Sequence, residues 1–244
     1  MAQETPWDVS FELFGIPIRI HPIFWLSSAY LVWDPEQPAF VFLGVICLLI
    51  SVLVHELGHA VMCRRYGFPS EIVLYFLGGY ATSTRFSTWK NVKVSFAGPA
   101  AGLVLFLLLY YSRLIPGVTE ILDQYVAARR CMHVLLFFNL MVNLMNLVPC
   151  LPLDGGQIMQ ALMYRYWPRR AGQRIQQICI VASGLTAFWS LYCLQNDLPV
   201  MPIPRWMLPG PPFYVPQPDP KFLVFFFGFL CANSVAEYNE SQGR

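Results

Sequence analysis

The sequence predicts an all-α polytopic membrane protein of about six transmembrane helices with one small membrane-associated β-hairpin. Three observations carry that prediction. Charged residues make up 12% of the 244 residues and apolar residues 56%, whereas an ordinary soluble domain is about a quarter charged. The mean hydropathy is +0.49. Several long windows contain no Asp, Glu, Lys or Arg at all. This composition excludes a disordered chain, a nucleic-acid binder with a large basic face and almost any soluble enzyme of this size. The net charge of +2 says little, because in a bilayer the position of each charge matters more than the sum.

Taken in order, the first twenty residues lack a basic region followed by a clean apolar run, so no cleaved signal peptide is expected. Ile20–Trp33 is a short apolar segment. Gln37–Val54 is free of charge and its apolar pattern continues through Met62; Val94–Ser112, Cys131–Leu153 and Ile175–Asn196 are three further charge-free windows. A spanning helix needs about 20 apolar residues, so these four are read as full spans. Ile20–Trp33 and Phe222–Ala236 would reach only about 21–23 Å and complete the six. Between the spans, Cys63–Lys93 has an apolar centre, Ile72–Ala81, whose Tyr, Phe and Val content with Gly78-Gly79 suits two short strands and a turn. Leu114–Arg130 reads as a polar connector with a short surface helix. Pro199–Pro220 holds nine of the 20 prolines and reads as an extended outer loop. Residues 1–244 are expected to form a single membrane-embedded domain with its core at 15–196 and its last membrane segment at 221–236. The seven cysteines form no C-x-x-C pair and suit an apolar interior.

Lys and Arg fix the expected topology. With a cytoplasmic N-terminus and six spans, eleven basic residues fall inside and five outside. The opposite parity inverts that bias.

The second span reads His55-Glu56-Leu-Gly-His59, an H-E-x-x-H pattern on a helix. Histidines at i and i+4 lie on one helical face, so both imidazoles can reach a single tetrahedral zinc ion. Glu56 is rotated by about 100°, close enough to take a proton from a water activated by the metal and to return it to a leaving amine. Ionisable groups in a membrane are costly and usually functional; a buried polar pair bracing neighbouring helices is the competing reading. Zinc with two histidines in a hydrolase usually takes one more protein ligand. His21 and His133 lie near helix ends and suit packing roles. Asp154 is the better choice. It follows Pro149 and Pro152 in Asn146-Leu-Val-Pro-Cys-Leu-Pro-Leu-Asp154-Gly-Gly, where broken helical backbone at membrane depth needs a protein or aqueous surrounding. Asp-Gly-Gly alone also fits an ordinary turn. In the expected topology the second and fourth spans both run from outside to inside. His55, about 24 Å along its span, and Asp154 at the end of the fourth therefore reach similar depth towards the cytoplasmic face.

The chain resembles the site-2 protease family of intramembrane zinc metalloproteases, in the bacterial branch that opens with Gly15-Ile-Pro-Ile-Arg-Ile-His-Pro-Ile-Phe. The resemblance covers most of residues 15–156 and rests on H-E-x-x-H and N-x-x-P-x-x-P-L-D-G. It implies one zinc ion per chain held by His55, His59 and Asp154, with Glu56 activating water. It also implies that Gly78 and Gly79 belong to a strand pair dipping into the membrane. Asn146 matches the family's Asn in the second motif and could donate to a tetrahedral oxyanion, or instead bond between helices. The family's G-P-x-x-N segment corresponds to Gly98-Pro-Ala-Ala-Gly102. Gly102 stands where Asn is common, which puts in question the helix–helix hydrogen bond assumed there. Neither a PDZ nor a CBS domain is expected within residues 1–244.

The function expected is hydrolysis of a peptide bond within or next to a transmembrane segment of another membrane protein, as in regulated intramembrane proteolysis. The partners are that substrate and the lipid bilayer, with no nucleic acid. The protein is expected in the cell membrane, its N-terminus and active site towards the cytoplasm. Two alternatives are a zinc transporter or channel, and an inactive binder of membrane helices. An unwound substrate in lipid exposes unpaired backbone groups, and the Ile72–Thr84 segment could pair with it as an added strand; a plain turn at Gly78-Gly79 is the alternative.

Overall fold

The computed structural model describes residues 4–33, 38–75, 78–81, 87–201 and 219–242. It divides into two compact units. One is built on Met1–Thr84 and Ala97–Asn143, the other on Arg85–Phe96, Leu144–Pro202 and Gln217–Arg244, described residues only.

The first unit opens with a hairpin of β1 (Val9–Leu13) and β2 (Ile16–Ile20). Its two-residue turn puts Phe14 at φ 53° and Gly15 at φ 73°, the left-handed pair that matches strand twist. Ile16, Ile18 and Ile20 are each 1% exposed, while Pro17 and Arg19 face outward or lie half-buried, so period-2 alternation selects the strand. Arg19 pairs with Asp8 at 2.8 Å. The Thr5 hydroxyl, and after it Arg19, hold the Asp8 carboxyl below its ordinary range. β3 (Ile72–Tyr75) adds parallel to β2, and β4 (Gly78–Ala81) adds antiparallel to β3, giving the order β1-β2-β3-β4. The expected hairpin at 72–81 is therefore present, as half of a four-stranded sheet.

The sheet changes the reading of the first apolar segment. Ile20 ends β2, and only Pro22–Leu31 forms a helix, α1. Its 10 residues reach about 15 Å, too short to span. His21 caps it, accepting from the Ile23 amide at 3.2 Å, and Pro22 supplies the first turn. Val32, just past its end, packs on Gly44 of α2 (Ala39–Arg65). α2 has 27 residues, about 40 Å of helix, and is closed by Gly67, whose φ of 83° turns the chain so that the Phe68 amide reaches the Cys63 carbonyl at 3.3 Å. Arg64 reaches back to the hairpin, donating to the Phe14 carbonyl at 3.2 Å and to that of Gly15. The sheet thus sits at the C-terminal end of α2, whereas the end of α1 lies against its N-terminal part through Val32.

Among the described residues, four helical segments, Ala39–Arg65, Thr88–Ser112, Pro168–Gln195 and Pro220–Ser241, are long and apolar enough to cross a membrane. Pro116–Gln124 and Val126–Asn146, bent by 113° from one another, make a fifth when taken together. In order these supply α3 (Thr88–Ser112), α4 (Pro116–Gln124) and α5 (Val126–Asn146). α4 is the surface helix expected in the 114–130 connector. The last segment is longer than its apolar stretch suggested, because α8 (Pro220–Gln242) continues into polar sequence.

In the second unit, α6 (Asp154–Tyr166), α7 (Ala171–Gln195) and α8 surround Met159, Ile175, Cys179, Leu223 and Phe227. Here the structure corrects one boundary: the fourth span stops at Asn146, and Asp154 starts a new helix rather than ending that span. Most of the proline-rich 199–220 loop lies outside the described residues.

Candidate metal centre

A run of apolar residues without proline carries α2 through His55, Glu56 and His59, which are 3%, 5% and 8% exposed. Helical spacing brings the two imidazoles together, Nε2 to Nε2 at 3.1 Å with ring centroids 4.8 Å apart. Two nitrogens bound to one tetrahedral zinc ion stand about 3.3 Å apart, given bonds of about 2.0–2.1 Å. The pair fits such an ion. Bare lone pairs at that separation would repel, so either a shared proton or a cation belongs between them.

Two glycines let α3 close on this face. A Cβ on Gly58 would lie 2.8 Å from the carbonyl carbon of Ala97, and one on Gly98 would lie 2.5 Å from Cε1 of His59. The backbone of α3 is therefore one wall of the His59 ring.

The other wall is α5. Ser51 Oγ donates to the Cys47 carbonyl at 2.9 Å, and Asn139 Nδ2 donates to Ser51 Oγ at 2.9 Å and to the Leu135 carbonyl at 2.8 Å. Asn143 Nδ2 donates to the Asn139 carbonyl, and His55 Nδ1 meets Asn143 Oδ1 at 2.8 Å. The same offset, 88 residues, joins Ser51 to Asn139 and His55 to Asn143. α2 and α5 therefore run in the same direction, as the expected topology of the second and fourth spans requires. Sequence reasoning missed Asn139 and Asn143. The available signal was two amides at i and i+4 inside an apolar helix, the same spacing as the histidines.

The remaining predicted residues belong to other elements. Gly78 and Gly79 open β4, opposite Tyr75 and Leu74, and β4 packs beside α2. Asp154 and Asn146 belong to the second unit. Asp154 is 7% exposed and occupies the first turn of α6, where the helix dipole favours a carboxylate. Gly155 and Gly156 permit the tight approach of this turn to the preceding chain: a Cβ on either would lie 2.5–2.6 Å from the carbonyl oxygen of Val148 or Cys150. Asn146 is the half-buried last residue of α5. His21 serves as the α1 cap, its ring 4.7 Å from that of Tyr75, and His133 is buried in α5. Neither joins the His55–His59 pair within the first unit.

Known proteins agree with this picture. The family model described as peptidase family M50 matches residues 43–190, which include the paired histidines and Asp154. A zinc metalloprotease of Methanocaldococcus jannaschii is 30% identical over 63% of this chain and 44% of its own length. Stage IV sporulation protein FB of Bacillus subtilis is 24% identical over 79% of this chain and 62% of its own. The chain thus spans about half the length of the curated relatives it matches. A solved site-2 protease from Methanocaldococcus jannaschii shares the fold, with a TM-score of 0.56 at 20% identity over 95% of both chains. Site geometry, fold and family model coincide: this membrane protein belongs to peptidase family M50, the site-2 proteases.

Proposed function

We propose that the chain is an intramembrane zinc endopeptidase that hydrolyses a peptide bond within or next to a transmembrane segment of another membrane protein. The observation that carries this is the convergence of His55 and His59, with Glu56 beside them, deep inside a helix long enough to cross a bilayer. His55 lies about 24 Å from the start of α2 and about 15 Å from its end. That depth falls within a hydrocarbon core of about 30 Å.

In this proposal His55 and His59 hold zinc and Asp154 completes the protein ligands, as the donor set of a catalytic zinc site requires. When bound, the ion supplies Lewis acidity to a water and to the scissile carbonyl. The chain's own residues do the rest. Glu56 takes a proton from the attacking water and passes it to the leaving amine. Asn146 offers an amide N–H to the oxygen that gains negative charge at the carbonyl. β4, the edge of the sheet beside α2, pairs with the unwound substrate; Gly78 and Gly79 let that backbone approach closely. The N-terminal hairpin, held to the C-terminal end of α2 by Arg64, faces the cytoplasm together with the centre, on the side where most Lys and Arg fall.

The test is Glu56→Gln in full-length protein reconstituted with a panel of single-span substrates. Zinc content stays at the wild-type level while cleavage falls by at least about 10³-fold, the scale of losing a general base and its proton transfer. Cleavage undiminished in Glu56→Gln would reject the peptidase assignment.

A further inference from the structure

We propose that Asn143 is the positioning residue that prepares His55 to bind metal, and that position 102 is glycine to make room for it. The amide of Asn143 is fully buried, and its orientation is fixed. Nδ2 donates to the Asn139 carbonyl one turn back, because a carbonyl accepts only from the NH₂ side. Oδ1 is therefore the atom that faces His55 Nδ1 at 2.8 Å, and an amide oxygen only accepts. Nδ1 must carry the ring proton. Nε2 is left with its lone pair, aimed at His59 Nε2 3.1 Å away. A histidine's tautomer is set by the hydrogen bond its other nitrogen makes, so Asn143 selects the form that can bind through Nε2. A ring with its proton on Nε2 could not.

The second observation comes from α3. A Cβ on Gly102 would overlap the Asn143 amide, 2.5 Å from its Cγ and from its Oδ1. Any side chain at 102 would push the amide off His55. Gly102 departs from the G-P-x-x-N pattern at this spot, and Asn143 fills the volume that a residue there would claim. Below it, Asn139 and Ser51 tie the ladder down to the Cys47 carbonyl, so the amide cannot rotate without breaking buried hydrogen bonds.

The inference rests on the zinc reading of His55 and His59 given above, and its first test does not need metal. Full-length protein in detergent, labelled with ¹⁵N-histidine and stripped of metal, gives the His55 ring nitrogens by NMR, assigned against His55→Gln. The expected result is Nδ1 protonated and Nε2 bare; an Nε2–H ring overturns the proposal. The second test is chelator competition for zinc. Asn143→Leu and Gly102→Ala each weaken zinc binding by about 10- to 100-fold, the usual cost of losing a residue that orients a ligand. Asn143→Asp, which keeps an acceptor against Nδ1, stays within a few-fold of wild type. Wild-type affinity in folded Asn143→Leu or Gly102→Ala overturns the proposal, and should Asn143→Leu fail to fold, Gly102→Ala and the wild-type tautomer decide. Wild-type protein that binds no zinc overturns both this inference and the reading beneath it, whereas wild-type zinc with indifferent variants overturns this one alone.

Discussion

Gly98 leaves no space between α3 and the His59 ring, with a built Cβ only 2.5 Å from Cε1. Backbone on a packed helix yields less readily than a side chain, so Gly98→Ala should displace the imidazole. The prediction is at least a tenfold loss of zinc affinity by chelator competition, the scale of a disturbed ligand, with helicity retained. Unchanged affinity would mean that the ring has room the packing does not suggest. His55, Glu56 and His59 were legible in the sequence because their geometry is local: a helix period alone puts i and i+4 on one face. Asn139 and Asn143 were not. Their partners, Ser51 and His55, lie 88 residues away in sequence, and nothing local to either helix encodes the register between them.

At the scale of single elements, the sheet and α1 are where the sequence misled. Ile16-Pro-Ile18-Arg-Ile20 alternates as a strand should, but it runs straight into the apolar Pro22–Leu31 helix. A hydropathy window averages the two into one short span. The alternation has a cost that can be measured. Ile18 is 1% exposed between two neighbouring strands, and Ile18→Ala should destabilise the sheet by about 2–4 kcal/mol, read by thermal or denaturant unfolding in detergent. β4 makes a different prediction. It lies at the edge of the sheet, whereas β3 is enclosed by β2 and β4, so among the described residues of the 72–84 segment the proposed docking role falls to Gly78–Ala81, residues 76–77 and 82–84 lying outside the described residues. Proline introduced singly through those four positions should reduce substrate cleavage while leaving zinc bound, since it removes a backbone donor from the edge. Cleavage unaffected at every position would leave Gly78-Gly79 as ordinary strand residues, with unwinding left to the substrate.

For the whole molecule, the parallel course of α2 and α5 and the sheet at the C-terminal end of α2 are the features that bear on topology. α1, at 10 residues, is too short to span by itself. Single-cysteine variants in a background lacking native thiols test the orientation. Positions 5–15, 64–71 and 165–170 should label from the cytoplasmic face, and the proline-rich segment after Val200 from the opposite face; labelling of that segment from the cytoplasm would invert the arrangement. Metal analysis of the purified full chain tests directly the proposal that His55, His59 and Asp154 hold one catalytic zinc ion. Wild type should carry about one zinc per chain, the stoichiometry of a mononuclear hydrolase. Glu56→Gln should keep it, and His55→Ala, His59→Ala and Asp154→Ala should each lose most of it. Zinc retained undiminished in His59→Ala or Asp154→Ala would contradict this ligand set.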